Sequence, residues 1–553
     1  MSELSHGNVG KREQNFTLLL PLRKNRYNLQ ALAKLAEDMK GEVDSVKDGP
    51  DPEENLLVPA GYTYLGQFID HDLTFDSTSS LDPTNSAVPT NLRTPRFDLD
   101  CLYGDGPTAQ PYMYDGDKLL FKEGPKLPEA TDPAEQDLLR NPLGRAIIGD
   151  KRNDENSIVS QIQLAFVKYH NAVVDELNQQ EPECWNTPNK LFVSARNEVR
   201  WAYQKIIVED FLPRIIAAEA LEDLKGDDPE VRKDKYLLYT EDKRGSLPRE
   251  FVAAAYRFGH SMVRTGYRLN SELENRFNIF PSSDDPTKTA GAGSLLGFDP
   301  VTNNQVIDSW GRFFPETLPG ELPLESRAEA ADNTPNGRER LQFAYKIDTT
   351  LVDPLAVLPR KEVAGEDTTQ QAIAQVGPLP DTVGEPPRPS LALLNLLRGN
   401  VYRIHSGQVF AALLKSSGFN FNPIEKQHLV TREAFDKDGK TFFKYVQIPD
   451  EILEDTPLWF YILAEAQAPL VDEIASRNQM DGFEETFLLN DPNGLSTQLR
   501  GVGGRIVAEV FYGLLDSDDE SFVNAAPINW KPILRGENII FRNLLKVADT
   551  SNA

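Results

Sequence analysis

Apolar residues recur at helical spacing over most of the sequence after about residue 157. Ile158, Ile162 and Phe166 open one such series, and residues 191–218 carry another. A spacing of three or four residues places side chains on one face of an α-helix, whereas the strict alternation of a strand is rare and short here. The pattern therefore predicts a mainly α fold with very little β structure.

Residues 1–50 are polar and are predicted to form a leader in front of one domain, residues 51–553. Chain breakers concentrate at two places inside this domain, around residues 272–300 and 359–390, and such clusters are typical of long surface loops. We predict one domain across these loops, because helical segments on both sides of them carry polar motifs that would form one site together.

The charge balance limits the partners of the chain. Lysine and arginine number 58 and aspartate and glutamate 85, so the formal charge is −27. A nucleic-acid partner is not expected, because phosphates require an excess of cationic side chains. An anionic membrane surface is disfavoured for the same reason, and no apolar stretch approaches the roughly 20 residues that span a bilayer. The location stays open between the cytoplasm and secretion without a recognisable signal peptide.

The two cysteines, Cys101 and Cys184, are too few for a disulfide framework. We expect two separate thiols, with a single bridge as the alternative.

The first polar motif surrounds His71, one of only six histidines. Asp70 and Asp72 flank it, and Gln67 lies one helical turn earlier on the same face. The surrounding residues are apolar, so we expect the segment to be buried, and buried carboxylates require hydrogen bonds or cations. The alternative is an Asp-His-Asp cap at the surface.

Two further motifs carry candidate site residues. His260 follows small residues that leave room for a flat ligand, and the alternative is a hydrogen-bonded histidine of the core. Arg152 and Glu155 precede the long helix predicted from about residue 157, which Asn153 or Asp154 could cap. The alternative for this motif is a solvated charged loop.

Polar side chains alternate along residues 94–100. Thr94, Arg96, Asp98 and Asp100 would share one side of an extended chain. Oxygen ligands at this spacing suit Ca²⁺. The segment is not an EF-hand loop, because Leu99 occupies the position at which that loop requires glycine.

Six segments, in this order, resemble the animal-type haem peroxidase superfamily, also called the peroxidase–cyclooxygenase superfamily. They are Gln67–Asp72, Thr94–Gly104, Arg152–Glu155, Tyr256–His260, Asn395–Gly399 and Gly503–Glu509. The resemblance is strongest to bacterial and peroxinectin-like members and extends over roughly residues 60–515. It implies the animal haem-peroxidase fold, a helical core around a buried haem b.

The resemblance also implies a role for each matched residue. The catalytic residues on the peroxide side of the haem are His71, Arg152 and Gln67. The residues that hold the haem are His260 as iron ligand, Asn395 on its other ring nitrogen, Arg257 near a propionate, and Asp70 and Glu155 as carboxylates that can form ester bonds to it. The calcium ligands are Asp72, Thr94, Arg96 through its carbonyl, Asp98 and Asp100.

The implied activity is that of a monomeric haem peroxidase. Such an enzyme reduces H2O2 and oxidises a small anionic or aromatic donor (bromide, iodide, thiocyanate or a phenolic) through a ferryl haem. Asn156 stands where the sulfonium-linked members have methionine, so chloride oxidation is not expected. Arg257 stands where the cyclooxygenase branch has its catalytic tyrosine, which disfavours fatty-acid oxygenation. The alternatives are a fatty-acid dioxygenase of the same superfamily and a non-catalytic haem- or calcium-binding adhesion module.

Overall fold

A computed structural model describes residues 14–41, 52–75, 90–123, 136–187, 189–226, 228–270, 276–280, 294–315, 341–356, 390–484, 497–534 and 540–550. The two predicted long loops, around residues 272–300 and 359–390, fall largely outside the described residues.

The described residues form a mainly α-helical fold, which confirms the fold class predicted from the sequence. In this part of the chain the helices of ten or more residues are α1 Leu29–Asp38, α2 Gly61–Leu73, α3 Ser157–Gln180, α4 Lys190–Ile206, α5 Leu391–Val401, α6 Gly407–Ser416, α7 Leu458–Ser476, α8 Gly501–Ser517 and α9 Phe541–Thr550. Shorter α-helical turns are Asp100–Tyr103, Leu212–Ile215, Ala218–Leu221, Pro229–Arg232, Arg249–Ala253, Asp353–Ala356, Asp450–Leu453 and Phe522–Ala525.

Strands are short, as the sequence predicts, and they pair in small antiparallel sheets. The largest sheet joins Val430–Lys437, Lys440–Gln447 and Phe483–Glu484. The two-stranded pairs are Gln14–Asn15 with Thr90–Asn91, Glu54–Pro59 with Phe343–Tyr345, Tyr114–Asp115 with Lys118–Leu119, Phe121–Glu123 with Gln136–Leu138, and Gly266–Tyr267 with Phe277–Asn278.

The core is a large continuous apolar cluster to which α2, α3, α4, α7 and α8 contribute their buried faces. Aromatic rings fill the space between α2, α3 and α4. Phe68 stacks on Phe166 with ring centroids 4.8 Å apart, and Tyr203 meets both rings edge-on. Because interiors are close-packed, these rings hold α2 firmly against its neighbours.

The cap predicted for the long helix α3 was wrong. The helix begins at residue 157 as expected, but its cap is Asn156, whose side chain accepts a hydrogen bond from the backbone N–H of Ile158 at 2.9 Å. Asn153 and Asp154 cannot cap it, because they belong to a separate 3₁₀ turn that is capped by Asp150.

The helix predicted over residues 191–218 is confirmed up to residue 215. It continues from α4 through a π-helical turn, Ile207–Phe211, into Leu212–Ile215. The wider turn inserts a residue into the helical register, which the apolar pattern does not reveal.

Part of the predicted polar leader packs into the core. Helix α1 lies inside residues 1–50, and its Leu32 and Leu35 are completely buried. Residues 14–41 therefore pack with the rest of the fold, whereas the domain boundary at residue 50 stays a prediction. None of the helices in the described part of the chain combines the length and the apolar content needed to cross a bilayer.

Candidate active site

The first half of the site is the C-terminal end of α2, which carries His71. Buried apolar residues on the same helix, such as Phe68 and Ile69, anchor it in the core. His71 is 4% exposed, and its Nδ1 lies 2.7 Å from Oδ1 of Asn153. Burial and the nearby guanidinium of Arg152 lower the pKa of His71 to about 3, so the ring is neutral at pH 7.

Glu155 lies opposite the second ring nitrogen of His71. Its Oε1 accepts a hydrogen bond from Nε2 of Gln67 at 2.7 Å and lies 3.6 Å from Nε2 of His71. Gln67, His71 and Glu155 therefore lie together in the structure, although they belong to two separate sequence motifs.

Arg152 is held by one carboxylate and two backbone carbonyls. Its Nε and Nη2 contact the Asp150 carboxylate at 2.8–3.3 Å. Nη2 also donates to the carbonyl of His71 at 3.1 Å and to that of Thr74. The guanidinium lies 4.8 Å from the centroid of the Phe75 ring. Among the described residues, Nη1 has no hydrogen-bond partner, which leaves this donor for a ligand.

Arg93 connects Asp150, the carboxylate beside Arg152, to the carboxylate of Asp100. Its Nε and Nη2 donate to Oδ2 of Asp150 at 3.0 and 2.7 Å, and its Nη1 donates to Oδ1 of Asp100 at 3.1 Å. Burial raises the pKa of Asp150, but hydrogen bonds and charge from Arg152 and the charge of Arg93 outweigh it, and the net pKa lies below the ordinary value. Sequence reasoning missed both Arg93 and Asp150.

The second half of the site is the 3₁₀ turn Ala255–His260. Nδ2 of Asn395, on α5, lies 2.8 Å from Nδ1 of His260, and Nη1 of Arg257 lies 3.3 Å from Oδ1 of the same amide. In this orientation the amide nitrogen donates to Nδ1, which places the ring proton on Nε2. A half-turn of the amide would let Nδ1–H donate to Oδ1 and would leave Nε2 free to bind a metal.

His260 borders open space. Burial, together with the cations Arg257 and Arg398, lowers the pKa of His260 to about 3, although part of its surface stays accessible. A Cβ added at Gly259 or at Gly399 would meet no atom of another described segment within 4 Å. Of the three small residues behind the sequence interpretation, Gly259 borders open space, whereas Ala254 and Ala255 are buried in the core, so room for a flat ligand stays a prediction.

Asp70 lies between the two halves. Burial raises its pKa, and the charges of both Arg152 and Arg257 oppose this increase. The hydroxyl of Tyr256, from the turn that carries His260, donates to the carbonyl of Gly66 on α2 at 3.2 Å. The two histidine-bearing elements are therefore direct neighbours, and both arginines act on the same carboxylate.

Asp72, Asp98 and Asp100 form a compact acidic cluster, with one ligand atom from each lying within 4.8 Å of the others. Burial and the neighbouring carboxylates raise the pKa of Asp72 well above its ordinary value. Oδ1 of Asp72 is buried and makes no hydrogen bond to any described residue. A buried carboxylate oxygen in this condition fits a cation site.

The extended conformation predicted for Thr94 to Asp100 was wrong, because the chain bends. The N–H of Arg96 donates to the carbonyl of Thr94 at 2.8 Å, and Leu99 has a left-handed φ of 59°. The hydroxyl of Thr94 donates to Oδ2 of Asp98 at 2.7 Å and so reaches the cluster. The side chain of Arg96 is 48% exposed and takes no part in it.

Comparison with known proteins indicates a family for part of the chain. Residues 90–290 match the family model described as animal haem peroxidase, a range that contains Arg152 and His260 but not His71. A peroxidase-like protein of Margaritifera margaritifera is 30% identical over 152 residues, which are 25% of this chain and 18% of that protein. Chorion peroxidase of Aedes aegypti is 26% identical over 197 residues, which are 34% of this chain and 24% of that protein. The matches thus span a quarter or less of these relatives' lengths.

Peroxidase A from Dictyostelium discoideum has a similar solved structure. It superimposes with a TM-score of 0.56 over 99% of this chain and 96% of its own, at 13% identity, so the likeness establishes the fold. The family match therefore identifies residues 90–290 as an animal haem peroxidase domain, and the fold of the chain is that of a solved peroxidase. The closer likeness to bacterial members stays a prediction.

Proposed function

We propose that the protein is a haem-dependent peroxidase, which reduces H2O2 and oxidises a small donor such as bromide, iodide, thiocyanate or a phenolic. One observation carries the proposal. Two neutral imidazoles, His71 and His260, lie on neighbouring elements, and each has its Nδ1 in contact with an asparagine amide, that of Asn153 or Asn395. Nε2 is then the second ring nitrogen of each histidine, and at His260 it becomes free to bind a metal after the half-turn of the Asn395 amide.

The residues around His260 fit a haem. Nε2 of His260 would hold the iron, and Asn395 would fix the ring by accepting from Nδ1–H, which requires the half-turn of its amide. Arg257 supplies a cation for a propionate. Asp70 and Glu155 are partly exposed carboxylates in the same site, and they are the groups that would form ester bonds to the haem.

Bound haem supplies the iron at which peroxide is cleaved and the oxidising equivalents that reach the donor. The neutral Nε2 of His71 takes a proton from one oxygen of H2O2 and returns it to the other, which leaves as water. Nη1 of Arg152 stabilises the negative charge that develops on the departing oxygen. Loss of one such donor raises the activation free energy by about 2.7–4 kcal/mol.

The acidic cluster fits Ca²⁺. Asp72, Asp98 and Asp100 would supply carboxylate oxygens, Thr94 its hydroxyl and Arg96 its carbonyl. The ion would offset the cost of burying neighbouring carboxylates, and it would satisfy the orphaned oxygen of Asp72. Because Asp72 directly follows His71 on α2, the ion would also fix the C-terminal end of this helix and with it the His71 imidazole.

Peroxide turnover by haem-loaded protein tests the proposed function. The wild type is expected to oxidise iodide and a phenol with H2O2. His71→Ala is expected to lose roughly 100-fold or more in turnover, the range typical of general acid–base groups, while still binding haem. His405→Ala is the control, because the hydrogen bond of this partly exposed histidine within the described residues is to the carbonyl of Pro21, at 2.9 Å, outside the proposed site.

Two outcomes would replace the proposal. Haem-loaded wild type without peroxide turnover would favour the non-catalytic module. Oxygen uptake with a polyunsaturated fatty acid that exceeds donor oxidation in a parallel assay would favour the dioxygenase.

A further inference from the structure

Asn153 and Gln163 form a buried chain of hydrogen bonds that ends at His71. Nδ1 of His71 lies 2.7 Å from Oδ1 of Asn153, and Nδ2 of Asn153 donates to Oε1 of Gln163 at 2.8 Å. Asn153 and Gln163 are both completely buried. Neither belongs to the residues that the family resemblance assigns to the site.

The direction of these hydrogen bonds determines the tautomer of His71. An amide nitrogen only donates and an amide oxygen only accepts. Because Asn153 donates its Nδ2 to Gln163, its Oδ1 faces the ring and accepts the proton carried by Nδ1. The neutral imidazole then has its lone pair on Nε2, which is the atom that a general base must present.

The loop that carries Asn153 is itself clamped. Nη1 and Nη2 of Arg140 donate to the carboxylate of Asp154 at 2.7 and 2.8 Å. The N–H of Gly297 donates to the carbonyl of Glu155 at 3.0 Å, and a Cβ at Gly297 would lie 1.9 Å from the carbonyl oxygen of Asp154. These contacts leave the loop little freedom to withdraw Asn153 from the ring.

We propose that Asn153, oriented by Gln163, is a positioning residue that holds His71 as the Nδ1–H tautomer and so keeps Nε2 as the base toward peroxide. The catalytic consequence rests on the proposed peroxidase function. The tautomer is a property of the protein that can be measured without haem.

Hydrogen bonds that run in the opposite direction, from Gln163 through Asn153 to His71, would give the other tautomer of the histidine. In the present arrangement, Nε2 of Gln163 makes no hydrogen bond with any described residue. If both amides turned by half, this nitrogen would donate to Asn153, and Asn153 would donate to Nδ1 of His71. The ring proton would then lie on Nε2, 3.6 Å from Oε1 of Glu155, and His71 could not accept a proton there.

Nitrogen-15 NMR of the haem-free protein at pH 7 measures the tautomer directly. Comparison with His71→Gln identifies the ring signals among the six histidines. The wild type is expected to show the Nδ1–H pattern for His71, Asn153→Ala to lose it, and Asn153→Asp, which keeps an acceptor, to retain it. An Nε2–H pattern in the wild type, or an unchanged pattern in Asn153→Ala, would overturn the proposal.

The reaction of the haem-loaded protein with H2O2 is the second readout. Asn153→Ala is expected to slow this bimolecular step by about 100-fold, the lower end for a general acid–base group, and to leave the later oxidation of the donor unchanged. Asn153→Asp should restore most of the rate. Equal slowing of both steps would indicate general damage and would contradict a positioning role.

Two glutamines on α3 supply a matched pair of variants. Gln163→Leu removes the partner of Asn153 and should slow the peroxide step. Gln161→Leu should not, because among the described residues Gln161 bonds only the backbone of Ser157, Gln305 and Ile307. If the wild type bound haem but did not react with H2O2, the proposed function would fail while the tautomer result would still stand.

Discussion

The buried side chain of Arg93 joins Asp150, beside Arg152, to the acidic cluster of Asp72, Asp98 and Asp100. Its removal should lower the free energy of unfolding. The side chain is 10% exposed and donates to Asp150 twice and to Asp100 once. Arg93→Met keeps much of the apolar stem but removes the cation. Breaking a buried ion pair typically costs about 3–5 kcal/mol. Because Asp150 keeps Arg152 as a partner, we expect the lower end, about 3 kcal/mol of unfolding free energy.

Arg96→Met is the matched control for this change. Arg96 is three residues away and carries the same charge, but its side chain is 48% exposed and pairs with Asp518 at 3.2 Å. Asp518 is only 2% exposed, but solvent screens a guanidinium that is about half exposed, so we expect a loss of about 1 kcal/mol, the upper end for surface pairs. Urea unfolding without Ca²⁺ would be followed by circular dichroism and tryptophan fluorescence, whose transitions must coincide for a free energy to be defined. Equal losses in the two variants would show that the buried contacts of Arg93 contribute no more to stability than the partly exposed pair of Arg96.

The remaining predictions concern pH, calcium and haem attachment. The pKa of His71 and His260 is about 3 in the folded protein and about 6.5 when unfolded, so the unfolded state binds more protons between these values. Their contribution to stability therefore falls as the pH falls through this window, and a variant with glutamine at both positions should show a weaker acid dependence of its thermal midpoint. Chelation of Ca²⁺ should lower the thermal midpoint more at pH 8 than at pH 5, because burial raises the pKa of Asp72 and Asp98 and protons then replace part of the cation's charge. An equal drop at both pH values would contradict this. Glu155→Gln should release more haem into acidified solvent than the wild type, because an amide cannot form the proposed ester, and equal release would remove Glu155 from that role.

Local features of the site could be predicted from the sequence. Helix α3 and the seat of His71 on α2 follow from apolar spacing within single helices. The placement of Gln67 one turn before His71 is also a local property, and it holds in the structure.

Contacts between distant segments could not be predicted in this way. Asn153 reaches His71 across 82 residues, and Arg93 reaches Asp150 across 57. No periodicity encodes such pairs, because they depend on how helices and loops pack. The bend that gathers the acidic cluster depends on a left-handed Leu99, a conformation that side chains with a Cβ rarely adopt and that residue types alone do not announce.

The absorption spectrum of haem-loaded protein shows whether His260 holds the iron, the assignment on which the proposed role of His71 as base depends. We expect a histidine-ligated haem spectrum in the wild type and in His71→Ala, and its loss or replacement in His260→Ala. An unchanged spectrum in His260→Ala would contradict this assignment.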